Sequence, residues 1–225
     1  PRASRESPSR GRALPKPAVT VGGDGFVEGE ATEIKATGSV TTVAEGEVTN
    51  TIAYTTGANF KADNYTITKT EGKLKITESQ KALVIESSTK SWTYDGTTHT
   101  DEVYTVKYDG TAATADESGK VFTLSTGDTV TITATAAGVK DYDESYSKNN
   151  TYEYVISNAG SYSDVTANVG TLSIDKRAVT LTSESGEKPY DGTALTKPDV
   201  TVGGDGFVEG EATEIKATGS VTTVA

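Results

Sequence analysis

One histidine, one tryptophan and 32 carboxylates are what this 225-residue chain offers for chemistry, because it contains no cysteine. A histidine acts as general base when a nucleophile lies beside it and a carboxylate orients it. His99 has no Gly-x-Ser-x-Gly serine to serve, since that pattern is absent from the chain. Carboxylate pairs can do acid–base work, but in a chain this acidic their presence carries no information. Asp141-Tyr142-Asp143-Glu144 offers clustered oxygens of the kind calcium takes. It lacks the glycine and the closing glutamate of an EF-hand loop, and a solvated acidic loop is the commoner reading. Gly22-Gly23-Asp24-Gly25 is superficially like a calcium β-roll, yet no nine-residue period follows it. The expectation is therefore no catalytic residue, no metal site and no cofactor.

Two further features have a binding reading and a structural one. Trp92 is either a glycan-stacking platform or a plug in a core or interface, the usual fate of a single tryptophan. Tyr-Asp-Gly-Thr occurs at 94–97 and again at 190–193. As a scaffold element its tyrosine packs inward, Asp-Gly makes the turn and threonine starts the next strand. Lysine and asparagine are also abundant enough for a Lys–Asn isopeptide crosslink, but sequence alone pairs none.

The elements that must position these groups are strands. Hydrophobic residues make up only 34% of the chain, and threonine, glycine and tyrosine are plentiful. Such a composition favours strands and turns over helices. Ala82–Glu86, Val103–Val106, Val121–Leu124, Thr129–Thr133, Tyr152–Ile156 and Leu172–Ile174 alternate or are β-branched, and Asp-Gly, Ser-Gly and Thr-Gly punctuate them. No window has a helical period.

Charge excludes whole classes of function. The formal net charge is −11. Phosphate binding needs clustered Lys and Arg, so no nucleic-acid partner is expected. No run of 18 apolar residues occurs, so no membrane span is expected. The charge is also uneven. Residues 1–16 carry Arg2, Arg5, Arg10, Arg12 and Lys16 against Glu6, while Arg177 is the only later arginine. This atypical basic segment reads as a corrupted or disordered module start, or as a basic arm for an acidic partner.

Repetition is the dominant signal. Residues 17–44 and 198–225 differ at one position in 28, Ala18 against Asp199, at an offset of 181. Residues 1–16 fall opposite Thr182–Lys197 and have lost its Tyr-Asp-Gly-Thr. A weaker repeat joins Tyr94–Gly110 to Tyr190–Gly206, Asn50-Thr51 to Asn150-Thr151, and Gly72–Ile76 to Gly170–Ile174. These landmarks divide the chain into a module A at 17–76 with an incomplete start, a complete module B at 77–176, and the start of a second A at 177–225. The chain opens on Pro1 and contains no methionine, which reads as an excerpt of a longer array. The second A start lacks counterparts of 45–76 and should leave an unpaired sheet edge.

Trp92 to Thr97, Lys188 to Thr193, Asn64-Tyr65-Thr66-Ile67 and Gly72 to Ile76 together resemble the YDG/MBG class of extracellular repeat modules of bacterial adhesin-like proteins. The resemblance covers about residues 17–225. It departs at 1–16 and at Ser161-Tyr162-Ser163-Asp164, where module B replaces Asn-Tyr-Thr-Ile. It implies an all-β fold of tandem small β-sandwich (Ig-like) modules, or alternatively β-grasp-like modules, strung into an elongated rod. It also implies a secreted or cell-wall-attached location and no catalytic residues. The expected role is the stalk or scaffold of an adhesin. The alternative is that the repeats themselves bind a host glycoprotein, glycan or immunoglobulin, gaining avidity by repetition.

Overall fold

The computed structural model describes residues 19–223. The basic segment 1–16 lies outside them. In chain order the strands are β1 (Ala31–Ala36), β2 (Glu47–Asn50), β3 (Ile52–Thr56), β4 (Gly72–Lys75), β5 (Leu83–Ser87) and β6 (Lys90–Thr93). There follow β7 (Tyr104–Tyr108), β8 (Thr111–Ala112), β9 (Thr114–Ala115), β10 (Val121–Thr123), β11 (Thr129–Ala134) and β12 (Tyr152–Ile156). The last six are β13 (Val165–Asn168), β14 (Leu172–Asp175), β15 (Val179–Ser183), β16 (Leu195–Thr196), β17 (Val200–Gly204) and β18 (Ser220–Val221). Helix among the described residues is confined to three 3-10 turns, Val43–Glu45, Ala62–Asn64 and Ala159–Ser161. The fold is all-β. No helix among the described residues is long and apolar enough to cross a membrane.

Two four-stranded sheets run in the orders β12-β11-β10-β9 and β13-β5-β7-β8. The remaining strands form two-stranded ladders, β1-β3, β2-β4, β14-β6, β15-β17 and β16-β18. Most registered pairs are antiparallel, but β13 pairs with β5, and β14 with β6, in parallel. Both parallel ladders hold the same offset: Val165 faces Leu83 and Leu172 faces Lys90. Strands β6 and β13 were not expected from sequence. Lys90-Ser-Trp-Thr and Val165-Thr-Ala-Asn are short and polar, and their partners lie 82 residues away.

The chain divides into two compact units. The first holds residues up to Glu86 with Val103–Thr133 and Glu153–Asn168. Its core is made by alternation: Leu83 and Ile85 on β5, Tyr104, Val106 and Tyr108 on β7, and Val130 and Ile132 on β11 are buried. A period of two puts every second side chain on one face. The burial of each such aliphatic contributes about 1.5–3 kcal/mol. The second unit holds Ser87–Glu102, Ala134–Tyr152 and the chain from Val169 onward. Its core is Val139, Leu172 and Ile174, with Trp92, Tyr94 and Tyr146 packed against them.

The glycine of the Gly-x-Leu-x-Ile motif has a steric role here. A Cβ on Gly170 would meet the Ser88 carbonyl oxygen at 2.0 Å. The Gly170 amide donates instead to Ser87 Oγ at 2.9 Å. Asn150, buried, continues the contact: its Nδ2 donates to the Ser88 carbonyl at 2.9 Å. Where residues 47–50 form the regular ladder β2-β4, the matching residues 147–150 run beside β14 on one backbone bond, from the Asn150 amide to the Gly170 carbonyl at 3.1 Å, and on side-chain bonds. Asn149 Nδ2 donates to the Leu172 carbonyl at 3.0 Å, and Asn149 Oδ1 accepts from the Leu172 amide at 2.7 Å.

The duplicated stretch folds differently at its two places. Ala31–Ala36 is a strand paired with β3, whereas residues 212–217 of the same sequence are in no strand. Conversely, Val200–Gly204 pairs with β15, whereas residues 19–23 do not form a strand. Val40 is 2% exposed and its counterpart Val221 is 54% exposed. The left-handed backbone positions, by contrast, are the same: φ is 68° at Gly23 and 71° at Gly204, and 51° at Glu33 and 50° at Glu214. Turn geometry is set locally, while strand formation depends on which partner is in reach.

Candidate functional site

The most distinctive local constellation pairs a carboxylate with a tyrosine, and it occurs three times. In each case a glycine at φ near +80° precedes the acid: Gly29-Glu30, Gly127-Asp128 and Gly210-Glu211. In the first two, the acid leads directly into a strand, β1 or β11. The two partner tyrosines of these, Tyr65 and Tyr162, each follow a 3-10 turn, Ala62–Asn64 or Ala159–Ser161, and each amide closes that turn by donating to an alanine carbonyl. Tyr65 Oη donates to Glu30. Tyr162 Oη donates to Asp128 Oδ2 at 2.6 Å. At the third place Glu211 accepts from Tyr94 Oη, the tyrosine of Tyr-Asp-Gly-Thr.

Ser161-Tyr162-Ser163-Asp164 therefore keeps the tyrosine bond that Asn64-Tyr65-Thr66-Ile67 makes. Sequence reasoning missed the pair. The available signal was a Gly-acid dipeptide before a strand, with a tyrosine 35 or 34 residues on. The three copies differ in burial. Asp128 is 2% exposed and is also reached by Asn158 Nδ2 at 2.6 Å and Thr126 Oγ1 at 3.3 Å. Tyr162 is buried and stands edge-on to Tyr108, ring centroids 5.5 Å apart. Glu30 is half-buried and Glu211 exposed.

The repeated loop Val-Gly-Gly-Asp-Gly-Phe-Val-Glu-Gly-Glu contributes to a cavity at each copy, through residues 21–27 in the first and through Phe207, Val208 and Glu211 in the second. In the first unit a cavity of about 790 Å³ is lined by this loop with Tyr54, Tyr65 and Ile67. Phe26 there packs on Tyr54 and Tyr65, centroids 5.4 and 5.3 Å apart. In the second unit a cavity of about 460 Å³ lies among Tyr94, Tyr142, Lys176, Arg177, Phe207 and Glu211. Arg177 is spent on structure: its Nε donates to the Gly206 carbonyl at 2.6 Å and its guanidinium also reaches the carbonyls of Asp205 and Tyr94. Lys176 Nζ lies 4.3 Å from the centre of the Tyr142 ring.

Hydrogen bonds to Glu30 and Glu211 push the Tyr65 and Tyr94 phenols above their ordinary pKa of 10.0. At neutral pH both are neutral donors, not nucleophiles. Phenyl and phenol faces beside a carboxylate can stack a sugar ring or bury an apolar side chain.

Tyr-Asp-Gly-Thr forms the same turn twice. Asp95 Oδ1 accepts from the Thr97 amide at 2.8 Å and Thr97 Oγ1 at 2.7 Å, and Asp191 Oδ1 accepts from Thr193 at 2.9 and 2.8 Å. Gly96 and Gly192 sit at φ 78° and 77°, in the left-handed region where glycine carries no Cβ penalty. The inward tyrosine holds for Tyr94 only, since Tyr190 is 68% exposed. Tyr94 has Val139, Leu172 and Ile174 to pack on.

His99 stacks on Trp92, centroids 4.9 Å apart and planes 19° apart. Its Nε2 meets both Asp95 Oδ1 at 3.0 Å and Thr97 Oγ1 at 3.3 Å. Acid and hydroxyl share one ring nitrogen, so the ring cannot relay a proton between them. Among the described residues no group of three His, Asp or Glu side chains is arranged to hold a metal ion. In the 141–144 loop Tyr142 Oη donates to Glu144 at 2.6 Å, and the Ser145 amide donates to Asp143 at 2.7 Å. No lysine among the described residues is buried.

The turn predicts a pH effect. Thr97, through hydroxyl and amide, and then His99 lower the Asp95 carboxyl to about 2. A folded-state pKa below the unfolded value means stability present above about 4 and lost as pH falls through about 2. An NMR titration will find the Asp95 carboxyl midpoint near 2, and Thr97→Val will move it toward 3.9. An unmoved midpoint in the variant would show that Thr97 is not the cause.

Searched against known proteins, the chain matches no family model, no curated protein and no solved structure.

Proposed function

We propose that this chain is the non-catalytic repeat region of a bacterial cell-surface or secreted protein, built from tandem Ig-like β-sandwich modules in an elongated rod and acting as the stalk or scaffold of an adhesin. Its modules run 17–76, 77–176 and from 177 onward, with neighbouring modules as their regular partners. The observation that supports the reading is recurrence of scaffold devices: the Asp–Thr turn is built twice, and the carboxylate–tyrosine pair three times, with their polar groups bonded within the chain. A motif of this kind, repeated and internally satisfied, serves the fold and not a substrate. Resemblance to YDG/MBG modules supports the extracellular location.

The reading is tested by cell-surface display of one, two and three 181-residue periods beneath a fixed epitope. The height of the epitope above the surface is expected to rise in equal steps, and a height that does not change would overturn the stalk. The second reading, direct binding of a host glycan, glycoprotein or immunoglobulin, has the twice-built aromatic loop behind it. On a glycan array it requires saturable binding that Phe207→Ala and Phe26→Ala both weaken.

A further inference from the structure

We infer that the parallel pairing of module B's first and last strands is a force-bearing clamp. This rests on the stalk reading and adds to it the property a tethering stalk needs. Strand β5 leads into β6 across two residues, and β13 leads into β14 across three. Each leading strand is registered in parallel on its closing partner. Leu83, Val84, Ile85 and Glu86 face Val165, Thr166, Ala167 and Asn168. Lys90, Ser91, Trp92 and Thr93 face Leu172, Ser173, Ile174 and Asp175.

Tension applied to the ends of such a segment draws the leading strand toward its N-terminus and the closing strand toward its C-terminus. In a parallel ladder those two pulls are opposite and lie along the strands. Parallel ladder bonds are evenly spaced, so the load is shared among them and they must fail together. Tension across two chain ends at the same end of a ladder instead opens one bond at a time.

Bonding does not lapse between the registered stretches. The Gly170 amide donates to Ser87 Oγ at 2.9 Å, the Thr171 amide to Thr89 Oγ1 at 3.1 Å, and the Lys90 amide to the Thr171 carbonyl at 2.9 Å. Ser87 Oγ in turn donates to the Asn150 carbonyl at 2.7 Å. Gly170 is the residue whose missing Cβ permits this approach. The side chains that flank the ladders are apolar and buried at Leu83, Ile85, Leu172 and Ile174, which keeps water from replacing the bonds as they stretch.

The chain contains no cysteine, so two introduced ones define the pulling direction. Gln80→Cys with Lys176→Cys loads the ladders in shear. Gln80→Cys with Asp164→Cys loads them from one end, because Asp164 immediately precedes β13 and its carbonyl accepts from the Leu83 amide at 2.8 Å. All three positions are exposed. Both full-length variants are held in optical tweezers and pulled at one loading rate. Forced unfolding reports the rate of the step that breaks the loaded bonds. The clamp event is recognised by its length: the chain between Leu83 and Val165 spans about 300 Å when extended at ~3.6 Å per residue. The shear pair is expected to rupture at a force several-fold above the one-end pair. Equal forces, or a stronger one-end pair, would overturn the clamp. They would leave the stalk reading standing, since that is decided by epitope height and not by strength.

Discussion

Asp128→Ala will destabilise the first compact unit by about 2–3 kcal/mol, the scale of removing a buried acceptor that serves several donors. The carboxylate is 2% exposed and collects Tyr162 Oη, Asn158 Nδ2 and Thr126 Oγ1. Removing it takes away the acceptor that Tyr162 Oη and Asn158 Nδ2 share and leaves the buried phenol with Thr126 Oγ1 at 2.7 Å. Asp128→Asn is the sharper probe, because its amide end turns donors either toward Asn158 Nδ2 or toward Tyr162 Oη and Thr126 Oγ1, all of which donate now. Tyr162→Phe removes a single donor and leaves the acid two others, so about 1–2 kcal/mol is expected. Glu211→Ala, at the exposed copy of the pair, is expected to cost nothing measurable, as surface substitutions usually do. Urea midpoints for these variants, with amide exchange in β11 and β12 as a local readout, check the order. If Asp128→Ala and Glu211→Ala behave alike, the pair contributes nothing through burial.

That ordering also shows what the sequence carried. Strands β5, β7, β10, β11, β12 and β14 were legible because Leu83-Val-Ile, Val130/Ile132 and Leu172/Ile174 announce a buried face through their own spacing. The Asp–Thr turn was legible because Asp-Gly-Thr contains all of its own partners. Strand β13 was not, because Val165-Thr-Ala-Asn becomes a strand only where β5 lies alongside, 82 residues earlier. The carboxylate–tyrosine pair was missed for the same reason: Glu30 and Tyr65, or Asp128 and Tyr162, meet only after the sheets have formed. Trp92 could be a platform or a plug on sequence alone, and its packing on Val139, Leu172 and Ile174 supplies the plug. Local chemistry could be read directly, whereas pairings between distant segments could not, since loop closure leaves no mark on either segment alone.

The duplicated stretch turns this distinction into a measurement within one molecule. Residues 19–44 and 200–225 are identical, so corresponding amides have the same intrinsic exchange rate and their ratio is a ratio of protection. Thr37 donates its amide to the Thr51 carbonyl at 2.8 Å beside β1, whereas Thr218 lies in no strand. Asp205 donates to the Ala178 carbonyl at 2.8 Å beside β17, whereas Asp24 sits in an open turn. Exchange will therefore cross over: Thr37 slower than Thr218, and Asp205 slower than Asp24, each by about a hundredfold or more, as ladder amides open only with their strand. A preference intrinsic to the sequence would slow the same position in both copies and produce no crossing. Equal rates at Thr37 and Thr218 would mean that β1 and its unpaired copy are equally ordered, and that the partner strand β3 does not make the difference. Deleting Thr51 together with the Ile52–Thr56 strand supplies the converse test. Thr37 should then exchange as fast as Thr218, while Asp205, whose partner Ala178 is untouched, keeps its protection.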